Sequence, residues 1–322
     1  MTATRAVRGA RRRWWSAGAA GLLALAVAAG LLACGDGDEV AATAESFSHV
    51  HGVQAPVWAP GTVLLATHHG LMRIEDGQWS YVGQERHDFM GFAAHPRQPD
   101  VLYGSGHPAH DSDLRDPLGF IVSTDGGRTW EVRSLDGEAD FHAMTVGAGG
   151  AVIYGWNVTG RVGLYRSADD GHTWQVVDAA ELHASEGVLA LAAHPDDAEV
   201  VWAATVEGLL RSDDAGASWQ QVLDGVPVTA VVYDPADAQR MFGYAAPPGD
   251  GLLASTDGGR TWSATGWALD APQDAVGHIA VDAADPEVLH AGTFGEDLYR
   301  SDDAGATWRA LARGGAPIVD HG

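Results

Sequence analysis

His49-Val50-His51, the His68-His69 pair, His107, His142 and His278, together with Met90, Asp88 and Asp140, are the residues of this chain whose types suit chemistry. Neutral imidazoles with a thioether favour copper, and imidazoles with a carboxylate favour zinc. Two carboxylates on opposite sides of a cleft instead suit acid–base hydrolysis of a glycosidic bond. No single spacing among these residues is specific. What would make them a site is an architecture that carries segments up to 229 residues apart, from His49 to His278, to one place.

That architecture is announced by a repeat. Ser-x-Asp-x-Gly-x-Thr/Ser-Trp occurs at Ser123–Trp130, Ser167–Trp174, Ser212–Trp219, Ser255–Trp262 and Ser301–Trp308, with starts 44, 45, 43 and 46 residues apart. A period in the forties with strand-like flanks predicts an all-β propeller, in which each repeat is one four-stranded blade. An eroded copy at Glu75–Trp79 extends the repeats over residues 47–311, which predicts six blades. Seven is the alternative if the chain ends pair into a further partial blade. Within each copy the Asp (Asp125, Asp169, Asp214, Asp257, Asp303) is expected to cap its own turn, with Gly supplying positive φ.

The octapeptide resembles the Asp-box, or bacterial neuraminidase repeat, shared by sialidases, sortilin-type receptors and photosystem assembly factors. The His-Val-His-Gly start, the His-His-Gly loop and the Asp-Phe-His-Ala segment look like those of bacterial Asp-box propellers loosely grouped with glycosyl hydrolases. A sialidase would need an arginine triad for its substrate carboxylate. No arginine stands at an inner-strand start, and Arg86, Arg115 and Arg161 lack the surrounding pattern, so the sequence is not that of a sialidase.

Stacking the repeats on their Trp residues puts His51, Met90, His142, Leu189, Thr229 and His278 at the starts of the six inner strands. Because the ring closes, His278, His51, Met90 and His142 are expected to face one another as a metal set at the channel mouth, for copper or zinc. Asp88 and Asp140 precede them on the same strand face, and His49, His68, His69 and His107 are expected around them as ligand-binding residues. His95 and His194, each before Pro, occupy turns where other blades carry Asp-Pro, so they are expected to cap turns rather than bind.

The first 34 residues read as a lipoprotein signal peptide: five arginines, an apolar run from Ala17 to Leu32, then Leu31-Leu32-Ala33-Cys34. Cys34 is the only cysteine, and lipidation there would hold the protein outside the membrane, with residues 35–46 as a tether and 47–322 as the propeller. The formal charge of −24 excludes nucleic acid as a partner. The resulting expectation is an extracytoplasmic, lipid-anchored binding or assembly protein that takes a metal or small ligand without catalysis. The alternatives are a glycoside hydrolase using Asp88 and Asp140 as its acid and base, and a protein-docking platform.

Overall fold

The computed structural model describes residues 46–184 and 187–318; the expected signal segment, Cys34 and nearly all of the tether lie outside them. Six antiparallel sheets follow one another along the chain, each a meander from an inner to an outer strand. The inner strands are Val50–Gln54, Asp88–Ala94, Phe141–Gly147, Val188–Ala193, Val228–Tyr233 and Val276–Val281. Each packs against the next, and that of blade six against that of blade one. The protein is a six-bladed β-propeller. Blade four shows why the sequence folds so: Val188–Ala193, Val201–Thr205 and Gly208–Ser212 are short β-rich runs separated by turns carrying Pro, Asp and Gly.

The blade interfaces are apolar. Trp174 of the third blade's Asp-box sits against Phe120 of blade two and Phe141 of its own blade, with ring centroids 5.1 and 4.9 Å away. Side-chain hydrogen bonds also cross between inner strands or their neighbours: Ser105 Oγ accepts from Phe141 N at 2.9 Å, Thr145 Oγ1 from Ala193 N at 3.1 Å, and Thr229 Oγ1 donates to Val276 O at 2.6 Å. The ring closes without a seventh blade. Ala316–Pro317 adds a short fifth strand beside Arg309–Arg313, and Phe47 N donates to Gly315 O at 2.9 Å.

Every Asp-box is a turn cap. Asp257 Oδ1 accepts from Thr261 N at 2.9 Å and from Ser255 Oγ at 2.9 Å, while Oδ2 accepts from Thr261 Oγ1 at 2.7 Å. The backbone and side-chain bonds from Thr261, ahead of that from Ser255, hold the Asp257 carboxyl at about 2. Four of the five boxes also tie to the first turn of their own blade, as in Gly126 N to Asp100 O at 2.8 Å and Gly258 N to Gln239 O at 2.8 Å. These turns join the far ends of the inner strands, so the boxes lie at the end of the channel away from His51 and His142. His95 and His194 cap the same turns, each Nδ1 accepting from two backbone N–H groups at 2.9–3.1 Å.

Candidate functional site

Every inner strand carries a β-bulge near its start. The pairing with the second strand skips His51, Met90, His142, Leu189, Thr229 and Gly277 in blades one to six. A bulge interrupts the alternation of side chains and re-aims the residue it releases. Five of these six positions are the ones expected from the sequence. The sixth is a correction: Gly277, not His278, stands level with His51, and His278 occupies the next position, equivalent to Gly52 and Ala143. Its Nε2 donates to Val50 O of blade one at 3.0 Å, so His278 closes the ring. Burial pushes its pKa down to about 4 against the opposing effect of that carbonyl.

A cavity of about 220 Å³ occupies the channel, with His51, His142 and His278 toward one end and Pro56, Pro96, Pro195 and Pro235 toward the other. The three histidines thus share a cavity, but they do not share a ligand set. His142 Nε2 bonds Asp140 Oδ2 at 3.0 Å, His278 is engaged with Val50, and Met90 is absent from the cavity lining. His51 belongs to a different group. Its ring stacks on that of His68 at 4.7 Å, and the His68 ring in turn on that of His49 at 4.6 Å. Burial, then the neighbouring His278, His68, His142 and His49, pushes the His51 pKa down to about 3. His51 is neutral throughout the physiological range.

The carboxylates lie beside these rings on blades two and three. Asp140 is 5% exposed; its N–H donates to Asn157 Oδ1 at 2.7 Å, and its Oδ2 faces His142 and, at 3.6 Å, His107 Nε2. His107 bonds Asp116 Oδ1 through Nδ1 at 2.6 Å. Burial works against charge on His107, but the bond to Asp116 and the charges of Asp140, Asp116 and Asp88 outweigh it and raise its pKa. Asp88 pairs across the ladder with His107 and stands 3.8 Å from His68 Nε2. Burial raises its pKa first, and the Asp140 charge adds to this against the opposing His68 and His107. Oδ1 of each aspartate is buried without a hydrogen-bond partner. His49 reaches the adjoining rim, with its N–H on Glu296 Oε1 at 3.1 Å; His69 is exposed, its N–H on Thr67 Oγ1 at 3.1 Å.

Asn157, Asp116 and Glu296 were not singled out by the sequence. Asn157 carries the one available signal: it ends the second strand of its blade where Thr67, Thr205 and Thr293 end theirs, all at 0% exposure. Polar residues fully buried at one repeat position mark a backbone anchor. The arginines weighed against a sialidase triad are used locally: Arg86 bonds the carbonyls of Gly83 and Glu85 and covers Tyr81 at 4.3 Å, and Arg115 faces Asp136 at 3.5 Å.

Comparison with known proteins follows the same lines. The BNR/Asp-box repeat model matches residues 121–132. A xyloglucanase of Hypocrea jecorina is 28% identical over 141 residues, 37% of this chain and 17% of that protein. Xyloglucanase Xgh74A of Acetivibrio thermocellus is 30% identical over 126 residues, 33% of this chain and 15% of that one. The chain therefore spans a small part of the relatives it matches. Among solved structures, the GH74 xyloglucanase of Xanthomonas campestris superimposes with TM-score 0.57 at 23% identity, over 84% of this chain and 46% of its own. The GH74 enzyme of Niastella koreensis gives 0.58 at 15%, over the same shares. These likenesses are of fold. The relatives by sequence are both glycoside hydrolases, and this overturns the expectation of a non-enzymatic metal- or ligand-binding role in favour of the hydrolase alternative. The chain is a six-bladed β-propeller with Asp-box repeats.

Proposed function

We propose that this propeller is a glycoside hydrolase acting on a polysaccharide of the xyloglucan class, with Asp88 and Asp140 as its two carboxyl groups. One observation carries the assignment: two aspartates from adjacent inner strands stand together at the channel mouth, near enough for the charge of one to raise the pKa of the other, with histidines around both. Their surroundings divide the labour. Asp140, held by His142 and near His107, serves as the base that takes a proton from the attacking water. Burial foremost, and then the Asp140 charge, raises the Asp88 pKa, and Asp88 serves as the acid that protonates the departing glycosidic oxygen. The His68 ring stands beside Asp88, with the His49 ring stacked on it.

The same reading places the enzyme outside the cytoplasmic membrane on a lipidated Cys34, where a polymeric substrate is met. It is tested by reducing-sugar release from xyloglucan and other β-glucans. Asp88→Asn and Asp140→Asn are each expected to lower kcat/KM by about 10²-fold or more. A wild-type chain inert on these polymers, or full activity in both variants, would remove the reading.

A further inference from the structure

We infer that His51, His68 and Asp88 form a zinc-binding site at the channel mouth, independent of whether the propeller hydrolyses glycans. The ligand atoms of these three side chains lie within 4.8 Å of one another, and among the described residues no other group of three His, Cys, Asp or Glu side chains converges in this way. His68 Nε2 and Asp88 Oδ1 are 3.8 Å apart, too far for a hydrogen bond. Donor atoms bound to one tetrahedral zinc at about 2.0–2.1 Å stand about 3.4 Å from each other, so binding draws the three side chains together and turns the His51 and His68 rings out of their near-parallel stack. His51 Nε2 and Asp88 Oδ1 are both buried and without a partner. Each neighbouring ring has bonded one nitrogen, His278 on Val50, His142 on Asp140 and His107 on Asp116, whereas His51 Nε2 and Asp88 Oδ1 have no partner and their side chains converge with His68.

Two imidazoles and a carboxylate are a zinc donor set, and with three protein ligands the fourth position is open to water. The set is not the one the sequence suggested. It keeps His51, replaces His142, His278 and Met90 by His68 and Asp88, and so exchanges a thioether for a carboxylate and favours zinc over copper. Asp88 is shared with the proposed hydrolytic pair, so an ion bound here and proton donation by Asp88 exclude one another.

The test is calorimetric titration of the metal-stripped full chain with zinc chloride, which requires no substrate and so separates this inference from the hydrolase reading. One zinc per chain is expected, with affinity reduced at least tenfold in His51→Ala, His68→Ala and Asp88→Asn and unchanged in His194→Ala, whose ring caps a turn at the far end of the channel. His68 and Asp88 side chains are about one-third exposed, at 34% and 28%, so their variants keep the fold and decide the matter even where His51→Ala does not; melting curves verify this. Absence of stoichiometric zinc binding, or binding that survives loss of both His68 and Asp88, overturns the inference.

Discussion

Acid should loosen this propeller through a residue far from its mouth. His290 lies in the second strand of blade six between Ala280 and Arg300, 2% exposed, with Nδ1 lacking a partner. Burial foremost, then the charge of Arg300, pushes its pKa from 6.5 to about 4; Asp282 and Asp302 oppose this and Arg309 adds to it. The folded value is depressed, so the sign follows directly. Above pH 6.5 the ring is neutral in both states and pH has no hold on it. Below pH 6.5 the unfolded chain takes a proton that the native chain refuses, and stability falls by about 1.4 kcal/mol per pH unit until about pH 4. The full loss from this one ring is about 3 kcal/mol, and by pH 5 it is about 2 kcal/mol. The assay is urea unfolding of wild type and His290→Leu at pH 7 and pH 5. Each chain is compared with itself, so the packing cost of the leucine cancels. Wild type should lose about 2 kcal/mol more than the variant over this interval. Equal losses in the two chains would refute the burial argument.

Two further outcomes are expected. Asp257→Ala removes the acceptor of three hydrogen bonds in an Asp-box turn and should lower the melting temperature while leaving zinc affinity unchanged; loss of zinc with unchanged melting would mean that the motif end of the channel is functional. Cys34→Ser should abolish incorporation of labelled fatty acid and release the protein from membranes; wild-type protein that takes up no lipid would end the anchoring proposal.

The fold was legible because a repeat multiplies weak local signals. One Asp-x-Gly turn is commonplace, but five at a period in the forties leave few architectures that bury their faces, and blade four was readable almost to the residue. The closure was less legible, since Ala316–Pro317 forms a strand only because blade six offers an open outer edge.

The site was half legible, and the reason is a single residue of register. Stacking the sequences brought His51, Met90 and His142 to one level correctly because Val50, Phe89 and Phe141 before them are matching buried positions. In blade six the matching position is Val276, so the level belongs to Gly277, yet a histidine one step later attracts the alignment. Strand alternation makes such a step decisive: it separates a side chain released into the mouth from one that closes the ring on Val50. The bulge adds what alternation cannot supply, because it displaces one residue per blade from its ladder, and no residue type announces it. His68 was the opposite case. It was assigned to the right end of the propeller, but its stacking on His51 and its approach to Asp88 depend on how far a loop folds inward, which the backbone sets. Convergence at the mouth therefore follows from the repeat, whereas which side chains touch there is decided by bulges and loop reach, and those decide whether the histidines bind as a set or merely neighbour one another.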